Sequence, residues 1–308
     1  MKRGVFLLGL KNIKSIYISL KHIHSITELY TFANLQRTPI YNDFDLIHFN
    51  QLGQNTQTMM PPHRRNFHTI IFFKDQKTGQ VNINNQKHQA LTNTVLFQGT
   101  SHLFSFVRDP AVEGTIVLFS KSFLLPYITD PTLSFPFFNI LNHNLFHLSN
   151  QEQQAFQQIL VTMSTEKHHI PVIKPLLIAL LEKSGLLYNT YSKEEKFLSK
   201  KTLLTRRYKN LVNNHFVTHK TVDYYASLLH ITPNYLNEVV KSETGVSAKK
   251  HITERVLLEA QNLLLYARLD ISEISHLLQF SEPTHFSKFF KKETGLTPKA
   301  YQENQQKP

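Results

Sequence analysis

The chain has 308 residues, a formal net charge of +12 and no Cys, and 41% of its residues are hydrophobic. The lack of Cys excludes a disulfide framework, thiol catalysis and a zinc finger, and no apolar run approaches the roughly 20 residues of a membrane span. The length is typical of two domains, and residues 200–308 hold 16 Lys and Arg against 10 Asp and Glu, which favours an acidic partner there.

Residues 1–29 are predicted to be an N-terminal extension. The apolar stretch Val5–Leu10 is too short for a secretory signal. Apolar residues from Ile13 to Ile23 have helical spacing with Lys between them, so a membrane-surface helix is the alternative. We favour a frayed extension or an upstream start site.

Residues 30–136 have the pattern of a β-rich domain. Short β-branched and aromatic runs are separated by turn signals such as Lys77–Gly79 and Asp109–Pro110. Strands are predicted at 44–50, 67–73, 81–83, 95–97, 102–107 and 115–119. This order of short strands predicts a small barrel or sandwich.

Residues 137–198 are predicted to be helical and to end in a polar linker. Ser149 and Glu152 have the spacing of a capping box before one amphipathic helix. A second helix, about 174–188, is apolar on most of its faces and therefore needs a partner surface. We expect that surface to be the same helix of a second copy, in a homodimer.

The last third of the chain contains a repeat. The phrase Lys241–Gly245 recurs 50 residues later as Lys291–Gly295. Before each copy lie an apolar-periodic helix, a tight turn and a second short helix that ends at the Gly. Two such pairs in one small basic region predict two helix-turn-helix units and thus a DNA reader, whereas an all-α bundle with purely structural repeats is the alternative.

A long amphipathic helix is predicted between the two pairs. It opens at Ser247 and keeps a helical period to about Tyr266. About 19 residues at 1.5 Å each span roughly 28 Å, and successive major grooves on one DNA face lie roughly 34 Å apart. One chain could therefore place two helices in adjacent grooves without dimerising.

Residues from about Lys200 to Tyr301 resemble the DNA-binding domain of the AraC/XylS (arabinose-regulator) family. The resemblance is carried by Asp270–Ser275, Gln279–Ser281 and Phe286–Tyr301. Two residues depart from the family pattern, Gln279 at a turn position that is commonly Gly and Ser275 at a position that is usually Ala. A positive φ at Gln279 would strain that turn by up to about 1 kcal/mol.

The resemblance implies an α+β multidomain fold. It has an N-terminal cupin-like β-barrel with a helical dimerisation segment, and a C-terminal all-α domain with two helix-turn-helix units. The expected divisions are the extension (1–29), the cupin-like effector domain (30–136), the helical dimerisation segment with its linker (137–198) and the DNA-binding domain (199–308). The implied protein is a sequence-specific, effector-responsive transcription regulator of the bacterial cytoplasm, associated with the nucleoid.

Family members insert the N-terminal half of each second helix into the major groove. Packing reserves the apolar positions, so the outward residues are expected to read base edges. These base readers are Asn234, Asn237, Glu238, Thr284, His285 and Lys288. A second set is expected to contact phosphates, and it comprises Thr232, Lys241, Ser281, Lys291 and Lys292.

The predicted effector site rests on basic residues at strand starts in the β-rich region. They could neutralise an anionic ligand and are His63, Arg64, Arg65 and His102. Double-stranded DNA, a small-molecule effector and a second copy are the expected partners, with RNA polymerase a further candidate. No cofactor, metal, catalytic residue or membrane contact is expected. A ligand-independent architectural DNA-binding protein and, behind it, a cupin-type enzyme are the rival functions.

Overall fold

The computed structural model describes residues 20–84, 86–192, 199–267 and 269–305. They form two compact units, an N-terminal unit of His22–Ser199 and a C-terminal unit from Lys200 onward. Most of the predicted extension, residues 1–19, lies outside the described residues. Residues 22–29 instead join the N-terminal unit, because Ile23, Ile26 and Leu29 are buried there.

The N-terminal unit is built from two five-stranded sheets. The strands are β1 (Lys21–Ile23), β2 (Phe44–His48), β3 (Met59–Arg65), β4 (His68–Asp75), β5 (Gln80–Ile83), β6 (Gln86–His88), β7 (Thr94–Gln98), β8 (Phe104–Val107), β9 (Glu113–Phe119) and β10 (Leu145–His147). Their order is β1-β3-β8-β5-β6 in the first sheet and β10-β7-β4-β9-β2 in the second.

All six predicted strands are present, and strand β3 is the main one that the sequence pattern missed. Pro61 and Pro62 lie inside it, and proline cannot donate a hydrogen bond to a sheet ladder. The strand accommodates them because its register with β8 shifts between Met60 and His63, which is the local irregularity that permits proline in an interior strand.

The two sheets face each other without joining into a closed barrel. Ile71, Phe73 and Leu96 of one sheet pack with Ile83 and Phe104 of the other. No ladder links the two sheets in the described part of the chain, so the observed architecture is a two-sheet sandwich. The expectation of a closed barrel is therefore wrong for this unit.

Helix α1 (Ile26–Phe32) packs against the inner face of the second sheet, at Ile47 and Leu118. The outer face of that sheet is covered by α2 (Pro131–Ser134), α3 (Asn150–Thr165) and α4 (Ile170–Ser192). The Ser149–Glu152 capping box before α3 is confirmed. Most large apolar residues of α4 are buried against α3 and the sheet, including Leu177, Leu180 and Leu181. The partner surface that this helix needs is therefore largely its own chain rather than a second copy.

The C-terminal unit is all-helical. Its helices are α5 (Lys200–His215), α6 (Val222–Leu228), α7 (Pro233–Thr244), α8 (Ala248–Tyr266), α9 (Ile271–Leu277), α10 (Pro283–Thr294) and α11 (Pro298–Gln305). The long helix predicted between the pairs is α8, with Ser247 as its N-cap. None of the helices in the described ranges is both long and apolar enough to cross a membrane.

The repeat is three helices long rather than two. Helices α5–α7 form a first helical repeat and α8–α10 a second, because equivalent residues make equivalent contacts. Glu243 accepts a hydrogen bond from Thr202 on α5 at 2.7 Å, and Glu293 accepts one from Lys250 on α8 at 3.1 Å. The repeated Glu therefore ties the third helix of each repeat to its first.

The turn within each repeat is also the same. His230 and Gln279 have φ values of 55° and 50°, in the left-handed region. The next amide in each turn donates five residues back, from Ile231 to Ala226 and from Phe280 to Ser275. This 6→1 bond is that of a Schellman cap, where Gly is usual, so each turn carries the strain of a non-Gly residue.

Candidate nucleic-acid interface

The N-terminal half of α7 presents polar side chains to solvent. Thr232 caps the helix by accepting the amide of Tyr235 at 3.2 Å, and Pro233 occupies the first helical position. Asn234 and Glu238 are exposed, as predicted for residues that face DNA. The opposite face is closed by Leu236, Val239 and Val240, which are buried.

Tyr235 is the exposed residue on this face that the sequence reasoning passed over. Its side chain is 46% exposed, although its ring is large and apolar. Helical spacing was the available signal for this exposure. Successive residues of a helix point to different sides, so Tyr235 does not share the buried side of its neighbour Leu236.

Asn237 has a structural contact that its sequence position did not reveal. Its Oδ1 accepts the backbone amide of Ala248 at 3.1 Å, and its side chain is half-buried. Ala248 is the first residue of α8, whose early amides have no acceptor within the helix. Bidentate pairing with adenine would use the same oxygen, so this bond competes with the base-reading role predicted for Asn237.

The N-terminal half of α10 repeats the arrangement with different chemistry. Thr284, His285 and Lys288 are exposed, whereas Phe286 and Phe290 are fully buried. Ser281 Oγ lies 2.7 Å from His285 Nδ1, which orients the imidazole at the start of the helix. The helix is 12 residues long, like α7, and both end at a left-handed Gly.

The predicted phosphate contacts lie at the two ends of these helices. Thr232 and Ser281 precede α7 and α10, and the side chains of Lys241, Lys291 and Lys292 are exposed in the last turns. A Lys in the last turn also interacts favourably with the helix dipole, so this position alone does not assign a phosphate.

A family model described as a helix-turn-helix domain matches residues 225–304, which include both turns. The HTH-type transcriptional activator RhaS of Escherichia coli O139:H28 (strain E24377A / ETEC) is 23% identical over 258 residues, which are 79% of this chain and 87% of RhaS. Both similarities support membership of the AraC/XylS family of transcriptional regulators.

Two solved structures are similar to parts of this regulator. The C-terminal domain of AraT, a response regulator from Geobacillus stearothermophilus, is 30% identical, with 34% of this chain and 88% of that chain covered and a TM-score of 0.33. ToxT from Vibrio cholerae O395 is 13% identical, with 86% and 95% covered and a TM-score of 0.37.

The N-terminal unit of this regulator contains an apolar cavity of about 80 Å³ between its two sheets. Side chains of both sheets and of α1 line it, among them Tyr30, Arg65 and Gln76. The Nε2 of Gln76 is buried and has no hydrogen-bond partner among the described residues. Of the four predicted effector residues, only Arg65 reaches this cavity, whereas His63, Arg64 and His102 do not line it.

Arg65 is a buried cation held by neutral groups. Its Nε donates to His63 Nε2 at 3.1 Å and its Nη1 to Thr69 Oγ1 at 3.1 Å, with the guanidinium 5.0 Å from the Phe104 ring centroid. No carboxylate of the described residues forms an ion pair with it, and burial lowers the pKa of Arg65 to about 9.

His63 and His102 are structural in this arrangement. His63 Nδ1 bonds the carbonyl of Pro61 at 2.8 Å, and His102 Nδ1 accepts the amide of Gly99 at 3.0 Å. Burial, together with the nearby charge of Arg65, lowers the pKa of His63 to about 3. His63 is therefore neutral at physiological pH and offers no positive charge to an anionic ligand.

Proposed function

We propose that this regulator binds double-stranded DNA with two helix-turn-helix units, α6–α7 and α9–α10, and places α7 and α10 in successive major grooves. The observation that carries the proposal is the matched pair of exposed N-terminal halves on helices of equal length, each backed by a buried apolar stripe. Helix α8 has 19 residues, or about 28 Å, which is comparable with the spacing of about 34 Å between grooves.

The side chains that we assign to base edges follow from exposure. Asn234, Glu238, Thr284, His285 and Lys288 are exposed and carry groups that fit base edges, such as Lys with guanine and Glu with cytosine. Asn237 is left out of this set, because its oxygen already accepts the amide of Ala248. Thr232, Ser281 and the three Lys residues of the last turns are assigned to phosphates.

Selection of DNA fragments from a random library, followed by footprinting on the selected site, tests this function. Two protected major-groove segments about one helical turn apart for each protomer are expected. A single protected segment would mean that one helix pair is only structural. Binding without any sequence preference would favour the architectural rival. With DNA as the partner, we place the protein in the bacterial cytoplasm.

We further propose that a compact ligand held between the two sheets regulates DNA binding. The support is the cavity beside Arg65 and Gln76, a buried cation and a buried amide donor. Its volume of about 80 Å³ is far below the roughly 300 Å³ or more of common ligand sites. Only a molecule of a few non-hydrogen atoms can enter the cavity without moving the two sheets apart. Because the cavity is so small, a regulator that needs no ligand is the second candidate.

A screen of small carboxylates and small neutral molecules distinguishes a ligand-dependent from a ligand-independent regulator. The quantity measured is the melting temperature of the full chain. A ligand of the proposed site raises the melting temperature of the wild type and not that of Arg65→Met. A screen in which no compact molecule shifts the melting temperature, while DNA binding is intact, supports the ligand-independent regulator.

We also propose a homodimer through the outer face of α4. Val172 and Leu186 are 41% and 60% exposed, and with the exposed Ala179 they recur every seven residues, the spacing of a helix-pair seam. Sedimentation of the full chain is expected to give a dimer at micromolar concentration, and Leu186→Glu a monomer. A wild type that sediments as a monomer contradicts the proposal.

A further inference from the structure

Lys220 crosses the boundary between the two helical repeats. It lies in the loop between α5 and α6, and its Nζ donates to the carbonyl of Val217 at 2.8 Å and to that of Gln279 at 3.2 Å. Val217 belongs to the same loop, whereas Gln279 is in the turn between α9 and α10. One ammonium group therefore holds the loop of the first repeat against the turn of the second.

Two further contacts fix the position of this side chain. The Nζ of Lys220 lies 5.1 Å from the ring centroid of Phe280, the residue after Gln279. Lys249, in the first turn of α8, donates to the carbonyl of Lys220 at 2.6 Å. These contacts join the loop between α5 and α6 and the start of α8 to the turn between α9 and α10. The residues that make them are Lys220, Lys249, Gln279 and Phe280.

The contact falls on a strained turn. Gln279 is held at a φ of 50°, and its amide and that of Phe280 are already used in the Schellman cap. The turn that carries the carbonyl of Gln279 is thus held by its own backbone hydrogen bonds. The charge-assisted hydrogen bond from Lys220 to this carbonyl therefore holds the loop between α5 and α6 at a defined position against the turn.

Lys220 is poorly placed to contribute through charge alone. No acidic group of the described residues forms an ion pair with it, and the positive Lys249 lies nearby. Burial of its ammonium group, and secondarily the charge of Lys249, lowers the pKa of Lys220 to about 8. The hydrogen bonds to the two carbonyls, rather than an ion pair, therefore define what this side chain does in the structure.

We propose that Lys220 is a positioning residue that fixes the angle between the recognition helices α7 and α10, and so sets the spacing of the two DNA segments that one protomer reads. The proposal rests on the proposed two-unit function. Two binding heads held at a fixed angle gain from each other only if the DNA presents both segments in the matching register, since the gain is lost where geometry forbids joint binding.

The test uses the full chain and a site selected from a random library by the wild type. Four probes are compared, namely the selected site, the same site with one base pair inserted or deleted between the two protected segments, and one segment alone. Lys220→Met keeps the apolar stem over Phe280 and removes the donors. Lys250→Met is the matched control, because it loses the same charge from an ion pair inside the second repeat.

The wild type and Lys250→Met are expected to lose about tenfold or more in affinity when one base pair is inserted or deleted. Lys220→Met is expected to lose no more than about threefold on the altered spacings, to bind the selected site more weakly than the wild type, and to bind the single segment equally well. Equal single-segment binding also shows that the variant is folded.

Three results have distinct meanings. A Lys220→Met variant with the same spacing dependence as the wild type overturns the positioning role while leaving the two-unit function intact. A Lys250→Met variant that also becomes tolerant of spacing assigns the effect to charge and overturns the proposal. A wild type that protects only one segment refutes the two-unit function itself, and with it this inference.

Discussion

Asn237 offers a sharp test, because its structural contact and its predicted base contact lead to different results. Its Oδ1 accepts the amide of Ala248 at 3.1 Å and so joins the middle of α7 to the first residue of α8. Ser247 already caps α8 by accepting the amide of Lys250. Asn237→Ala would therefore leave one early amide of α8 without its side-chain acceptor.

The expected cost is that of one helix-cap hydrogen bond. A half-buried bond of this kind contributes about 1 kcal/mol, and replacing a capping Asn by Ala costs about 0.5–2 kcal/mol. We expect Asn237→Ala to lower the free energy of unfolding of the C-terminal unit by about 1 kcal/mol. Denaturant unfolding followed by circular dichroism measures this. DNA binding should weaken with no change in the preferred bases.

Asn234→Ala is the matched control, since it makes the same change three residues earlier on the same helix. Asn234 is exposed, so its substitution should alter the free energy of unfolding by less than about 0.5 kcal/mol. It should instead relax the base preference at one position. If Asn237→Ala unfolds like the wild type and changes the selected bases, the structural role argued for Asn237 is refuted.

Three further outcomes are expected. Lys288→Ala should weaken the free energy of DNA binding by about 1–3 kcal/mol and relax the preference at one base pair. Lys292→Ala should instead weaken binding to all sequences alike and lower the slope of log affinity against log salt concentration by about one. Identical selected sites for both variants would contradict the assignment. Burial, with smaller effects of neighbouring charges, lowers the pKa of His68 to about 3 in the folded chain. Below about pH 6.5 the unfolded chain therefore takes up a proton that the folded chain does not, and the free energy of unfolding decreases as the pH is lowered. Between about pH 7 and pH 5 the wild type should lose about 2 kcal/mol more than His68→Phe, as measured by urea unfolding, and parallel curves would refute this. Arg255 Nη1 lies 3.0 Å from Glu259 Oε2 in a buried ion pair. Glu259→Leu alone should lower the free energy of unfolding by about 3–5 kcal/mol, because it leaves a buried charge unpaired, and the double variant with Arg255→Met should lose much less. Urea unfolding of the two single variants and the double variant measures this, and additive losses would count against the pairing.

Local patterns predicted much of this fold because local physics controls them. The capping boxes at Ser149 and Asp270 and the left-handed ends at Gly245 and Gly295 depend on residues within one turn of each other. The φ of 50° at Gln279 is likewise set within a single turn, at the position where the family commonly has Gly. The exposed faces of α7 and α10 also followed from helical spacing alone.

The errors arose where distant segments meet. Strand β3 was missed because its prolines are tolerated only through the bulge opposite β8. The sequence also did not reveal that α3 and the outer face of the second sheet bury most of the large apolar residues of α4. Neither the cavity beside Arg65 nor the neutral state of His63 can be read from residue type, because both depend on how the two sheets face each other.

The sequence by itself determined the family resemblance, the helical repeats and the exposed faces of α7 and α10, since these depend on spacing along the chain. Only the tertiary structure decided the work of individual polar side chains. Asn237 is committed to Ala248, and Lys220 reaches a carbonyl 59 residues away. A polar side chain takes the partner that packing brings within about 3 Å, and sequence spacing does not fix that distance.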